Sequence, residues 1–269
     1  MSFVWNYFFG STPATVETVK PTAPQVESAP QLESTASQIK LSTVPEVESS
    51  TVVKVRNFSL DPILKGDLST CSVIIGPRQC GKTSIAKNII VSDKFSEIHI
   101  IQDQSDNEDS PMMNDCRMTY YEKYDEKILT DVIQSQKRLP KEDRKHVIIL
   151  IEDSAQLSER HFMQHESLKY IFINGRFLKI SLVLVMQYPM SMPYVLRGNL
   201  DYAFLFGRIT NSFTERTYRK YADVFPNNAL YKAVLNEVTQ NYGCAVIDYQ
   251  TKSDKLDDKV FWYNSHITK

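Results

Sequence analysis

The stretch VIIGPRQCGKTS, residues 73–84, constrains this chain more than any other. It passes from an apolar strand through a turn with two glycines into a lysine, a hydroxyl residue and the start of a helix. GPRQCGKT fits the spacing G-x-x-x-x-G-K-[ST] with Gly76, Gly81, Lys82 and Thr83. The glycines let the backbone curl so that its N–H groups converge on phosphate oxygens, and the helix that follows adds the positive end of its dipole. In such a loop the lysine reaches the β- and γ-phosphates and the hydroxyl binds Mg²⁺. The nucleotide-binding set is therefore Gly76, Pro77, Arg78, Gln79, Cys80, Gly81, Lys82, Thr83 and Ser84. The loop identifies a nucleotide. It leaves open whether that nucleotide drives a phosphorylation, a switch or mechanical work.

Apolar runs bounded by turn residues predict buried strands at 71–76, 97–102, 146–153, 180–187, 202–207 and 244–249. Helical patterns fall between most of them, at 83–92, about 124–137, 164–175, and 215–221 continuing beyond Pro226. Near-continuous apolar strands alternating with helices predict an α/β fold, a mainly parallel sheet flanked by helices on both faces. Residues 11–52 differ in kind. They contain no aromatic and no glycine and are rich in Thr, Pro, Val, Glu, Ser, Ala and Gln. Such a segment cannot bury enough apolar surface to offset its ordering entropy, so residues 1–52 are expected to form a disordered tail before a domain at 53–269. At the tail's start, Phe3, Trp5, Tyr7, Phe8 and Phe9 form an aromatic cluster suited to docking on a partner protein or membrane interface.

Residues 1–52 carry five Glu and two Lys, net −3, leaving 29 basic and 27 acidic residues in the remainder. A bias of +2 is too weak to establish a nucleic-acid partner. The four cysteines, Cys71, Cys80, Cys116 and Cys244, form no C-x-x-C pair, which points to a reduced protein without a zinc site. No run approaches the roughly 20 apolar residues that cross a bilayer.

A nucleotide site of this kind also needs carboxylates on a neighbouring strand. VIILIED supplies Glu152 and Asp153, one to complete the Mg²⁺ shell with Thr83 and the other to orient and deprotonate the attacking water. The order Glu-Asp leaves the division of labour between them open. LVLVMQYP ends a further strand in Gln187, whose amide can bond both the γ-phosphate and the lytic water. No NK dipeptide is present to begin a guanine-reading N-K-x-D motif. A kinase lid would require clustered arginines, and Arg208, Arg216 and Arg219 keep that alternative open. The separate acid-tipped and glutamine-tipped strands suit additional-strand ATPases that act as motors, with ATP and Mg²⁺ as the ligands.

GPRQCGKT, ILIED, FINGRFLKISLVLVMQYPMSMPYVLRGNLDYAFLF and TQNYGCAVIDYQTKSDKLDDKVFWYN, in that order, resemble the genome-packaging ATPases of poxviruses and other nucleocytoplasmic large DNA viruses, members of the FtsK–HerA superfamily. The similarity spans most of residues 55–264. It implies a RecA-like additional-strand P-loop fold and a homo-oligomeric ring that threads double-stranded DNA into a capsid, in the virion and the host cytoplasm. It also implies an arginine donated by the adjacent subunit to the developing γ-phosphate charge, with Arg176 favoured, then Arg197, and Arg208 as a third candidate. DNA would be gripped through its backbone by the loops 188–199 and 137–146. Residues 1–10 would dock on a capsid or inner-membrane component. Two alternatives stand beside the motor: a nucleotide kinase acting on a soluble acceptor, and a scaffold that binds ATP without turnover.

Overall fold

The apolar runs pair side by side into one nine-stranded sheet. The computed structural model describes residues 55–102, 115–152, 162–189, 192–207 and 210–265. The tail of residues 1–52 with its aromatic cluster, Asp153 and Arg208 lie outside them. In chain order the strands are β1 (Arg56–Asn57), β2 (Cys71–Ile75), β3 (Glu97–Gln102), β4 (Met118–Tyr121), β5 (Val147–Glu152), β6 (Ile180–Met186), β7 (Tyr202–Leu205), β8 (Gly243–Asp248) and β9 (Val260–Asn264). Their order across the sheet is β1-β9-β8-β7-β2-β6-β5-β3-β4. Neighbours run parallel except β8, which is antiparallel to both β7 and β9.

The helices are α1 (Asp61–Leu64), α2 (Lys82–Ile90), α3 (Glu126–Arg138), α4 (Glu166–Asn174), α5 (Tyr194–Arg197), α6 (Asn211–Tyr221), α7 (Asn228–Val238) and α8 (Leu256–Lys259). Side chains alternate across a strand, so each central strand feeds two cores. Val73, Ile75, Ile149, Ile151, Leu182 and Leu184 pack with residues of α3, α4, α6 and α7. Ile74, Ile148, Leu150, Val183 and Val185 face the other way, against Ile85 and Ile89 of α2. The architecture is the expected α/β one, a mostly parallel sheet covered on both faces.

Three details depart from the expectation. The helix drawn through Pro226 is two helices: α6 ends at Tyr221, and α7 starts afresh where the Asn227 side chain accepts from the Leu230 N–H at 2.8 Å. Proline has no N–H to give to a helical bond, so the pattern breaks there. A strand at Met118–Tyr121 was not expected, and its half-exposed pattern is that of an outer strand lacking an apolar run. The VFWYN segment, Val260–Asn264, is β9, paired antiparallel to β8.

On the outer strand pair, His99 of β3 is buried with Nδ1 3.1 Å from the Tyr121 hydroxyl and Nε2 2.8 Å from the Glu97 carboxylate. Burial lowers its pKa below the ordinary 6.5, and the neighbouring Glu97 offsets only part of this. The folded chain therefore resists a proton that the unfolded chain accepts near pH 6.5. This contribution to stability is present above that pH and is lost as pH falls below it. Melting temperature should drop between about pH 7.5 and about pH 5.5, and His99→Gln should flatten that slope.

Candidate functional site

Because β2, β5, β6 and β7 are parallel, their carboxyl ends share one edge of the sheet. Ile75 is level with Met186 of β6 and Leu205 of β7, while Glu152 is level with Val185. The loop after β2 thus emerges between Gln187 on one side and Phe206 on the other. Hydrogen bonds fix it there: Gly76 N donates to the Met186 carbonyl at 3.1 Å, and Phe206 N donates to the Ile75 carbonyl at 2.9 Å.

Two glycines are required by this geometry. A Cβ on Gly76 would lie 2.6 Å from Phe206 Cβ and 2.7 Å from Cys80 Sγ. Gly81 has φ 107°, a left-handed conformation that side chains disfavour. Gly81 is also the N-cap of α2 and provides no side-chain cap, so the first N–H groups of α2 keep their donors for a ligand. Lys82 is buried, and its ammonium donates to the Pro77 carbonyl at 2.6 Å, within the loop it is expected to serve.

The period of β5 decides where Glu152 points. Ile148 and Leu150 face α2, and Glu152 follows in the same phase. Its carboxylate, 3% exposed, accepts a short hydrogen bond from the Thr83 hydroxyl. Thr83 and one of the two carboxylates expected to divide Mg²⁺ and the water between them thus meet side by side. A hydroxyl and a carboxylate are the sparse oxygen donors Mg²⁺ takes from a protein when phosphates and waters fill its remaining positions, so this pair fits the ion. Gln187, just beyond β6, accepts from Arg78 Nε at 3.3 Å, linking the strand-end glutamine to the loop.

The arginines behave differently. Arg176 lies in a 3-10 turn, Gly175–Leu178, that precedes β6, at the opposite edge of the sheet from the loop. It pairs at short range with Asp201, which is 1% exposed and also accepts from Cys71 N at 2.7 Å. β2 alone puts about 16 Å between the two edges. Arg197 sits in α5, where its Nη1 donates to the Lys220 carbonyl at 3.3 Å. Neither arginine joins the loop of its own chain. In the segment 137–146, Arg144 is committed to the carbonyls of Gln136 and Phe177 at 2.9 and 2.8 Å. In 188–199, by contrast, Tyr188 and Tyr194 are exposed.

No protein-family model matches the chain. Its curated relatives are viral proteins. An uncharacterized protein, L437, of Acanthamoeba polyphaga mimivirus is 34% identical over 121 residues, covering 45% of this chain and 43% of that one. An uncharacterized protein, 015R, of Frog virus 3 (isolate Goorha) is 27% identical over 227 residues, covering 81% of this chain and 67% of that one. The chain thus spans less than half the length of the mimivirus relative. Among solved structures, B204, the DNA-packaging ATPase from Sulfolobus turreted icosahedral virus, superposes with TM-score 0.53 at 11% identity, over 70% of this chain and 96% of that one. The pCW3 conjugation coupling protein TcpA, with ATPγS, gives TM-score 0.50 at 14% identity, over 74% and 60% of the two chains. The fold is a P-loop NTPase fold. At these identities the fold is what is shared.

Sequence reasoning did not single out Asp201, nor Phe206, Thr239, Asn241 and Tyr242, which border the loop on its other side. The glycines that follow two of them, Gly207 and Gly243, were the available signal.

Asp201 is where a substitution should read out in stability. Burial raises its pKa, and the Cys71 N–H and the Arg176 guanidinium act against that rise. Asp201→Ala should strand the buried Cys71 N–H and leave Arg176 unmatched, costing about 2–4 kcal/mol in urea unfolding. Arg176→Ala, which leaves the carboxylate uncompensated, should cost a similar amount.

Proposed function

We propose that this chain is an ATP-hydrolysing motor subunit that moves double-stranded DNA into a viral capsid. The observation that carries the reading is the strand order β2-β6-β5: a strand stands between the P-loop strand and the acid-tipped strand, and Gln187 follows directly on its last residue. That is the layout of the additional-strand class, in which the glutamine sits between the phosphate cradle and the hydrolytic carboxylates. The fold shared with B204 and the viral origin of the relatives support the same reading.

In this reading Lys82 leaves the Pro77 carbonyl for the β- and γ-phosphates, and the uncapped N-terminus of α2 receives phosphate oxygens. Thr83 and one carboxylate of the Glu152–Asp153 pair would hold Mg²⁺, which when bound would supply positive charge against the phosphates. The other carboxylate of the pair would take the proton from the attacking water, which Gln187 helps to orient. Arg78 ties Gln187 to the P-loop, so a change at the phosphates is passed to β6 and onward to the exposed loop 188–199. Arg176 and Arg197 stand away from their own P-loop, so in this reading either would act on the terminal phosphate of an adjacent subunit. The working form is therefore a homo-oligomeric ring, gripping DNA without regard to sequence, in the infected-cell cytoplasm and the virion. Residues 1–10 dock it to a capsid or inner-membrane component.

ATPase turnover of the purified chain, with and without long double-stranded DNA and alongside native mass, tests this reading. DNA-stimulated turnover by a multi-subunit species is expected, abolished by Lys82→Ala. Turnover indifferent to DNA but responsive to nucleosides would make the chain a kinase, and binding without turnover would make it a scaffold. Mixing folded Arg176→Ala subunits with Lys82→Ala subunits should restore part of the activity. No restoration transfers the trans role to Arg197 or Arg208.

A further inference from the structure

The P-loop has two flanks, and the site described above uses only one. On the β6 and β5 flank stand Gln187, Glu152 and Thr83. On the β7 and β8 flank lies a cleft of about 470 Å³ between the P-loop residues Pro77–Cys80, the end of β7 at Phe206 and Gly207, and the turn Thr239–Tyr242. A triphosphate is linear, and its terminal phosphate belongs with the carboxylate and the glutamine. Its other end must therefore leave toward β7 and β8.

The turn at that end is tightly built. A Cβ on Gly207 would lie 2.5 Å from Thr239 Oγ1, and one on Gly243 would lie 2.2 Å from the Val238 carbonyl oxygen. Between these contacts, Asn241 and Tyr242 are both left-handed, with φ 48° and 64°. Asparagine tolerates that region, but tyrosine occupies it only when its surroundings impose it. β9 contacts the turn here: Asn264 Nδ2 donates to the Asn241 carbonyl at 2.6 Å. The outcome is a tyrosine, 56% exposed, whose Cβ stands 3.5 Å from where a Cβ on Gly81 would be. An unfavourable backbone state thus places an exposed aromatic ring beside the phosphate cradle, at the mouth of a cleft large enough for a nucleoside.

We propose that this cleft holds the base and ribose of the nucleoside triphosphate, with Tyr242 as the stacking face and Thr239 and Asn241 among the polar groups around it. The assignment rests on the reading of the P-loop as a triphosphate site, and adds the element that distinguishes a nucleotide from a bare polyphosphate.

Calorimetric titration of the full chain with ATP, ADP and inorganic tripolyphosphate separates the two claims. Tyr242→Ala should weaken ATP and ADP about tenfold, the size of one lost base–aromatic stack, and leave tripolyphosphate unchanged. Tyr242→Phe should bind like the parent chain. Tyr242→Gly, which relieves the left-handed strain, should melt no lower than the parent and still lose the tenfold, showing that the loss is not one of folding. Equal losses for ATP and tripolyphosphate, or no loss for either, would overturn the base site while leaving the P-loop reading intact. A parent chain that binds neither ligand, or a Lys82→Ala chain that binds both as tightly, would remove the triphosphate site and the base site with it.

Discussion

The close passage of the P-loop between β6 and β7 is the contact on which the rest depends. Gly76 is pinned by the Met186 carbonyl on one side and packed against Phe206 on the other, with no room for a side chain. The loop then has to turn through Gly81 at φ 107° before α2 can begin. A residue with a side chain at either position would push the loop away from the sheet edge or force a different turn. The helix start that results has no cap of its own, so its donors face the edge where the carboxyl ends of four strands converge.

The remainder of the sheet can be read as support for that edge. Continuous apolar strands on both sides of β2 hold Glu152 and Gln187 in register with the loop, and strand periodicity turns Glu152 toward Thr83. At the opposite edge the chain closes with a different chemistry. Asp201 joins the start of β2 to the start of β7 through reciprocal bonds, its carboxylate accepting from Cys71 N while its own N–H donates to the Cys71 carbonyl at 2.8 Å. Arg176 balances the buried charge. Both edges thus contain a carboxylate buried beside a strand end, one serving the ligand side and the other the fold.

How much of this could be read from the sequence follows from burial. The strands at 71–75, 147–152 and 180–186 are buried along their whole length, so they appear as apolar runs with turn residues at each end. The strand Met118–Tyr121 is half exposed and carries no such run. The P-loop, Glu152 and Gln187 were legible because their chemistry is attached to strand ends that are themselves legible. Arg176 was legible as an unusual residue but not in its contacts: its partner is 25 residues away and joined to it only through the folding of β6 and β7. The conformation of Asn241 and Tyr242 has no signature, since neither residue type announces a left-handed backbone and the Asn264 bond to the Asn241 carbonyl comes from the next strand.

The two flanks of the P-loop also differ in how they are held, and this bears on how such a site can work. The Gln187 flank is tied to the loop by the side-chain bonds Arg78–Gln187 and Thr83–Glu152 and by the Gly76 N–H, and it leads straight into the exposed segment around Tyr188 and Tyr194. A single bond of this kind contributes on the order of 1 kcal/mol and can be exchanged for a contact to phosphate. The Tyr242 flank is closed sterically at Gly207 and Gly243 and carries a side-chain bond from β9. The proposed nucleotide would thus have the turn Thr239–Tyr242 at one end and the Arg78–Gln187 bond at the other. In the proposed motor, a change at the terminal phosphate would be passed toward β6 and the loop beyond it.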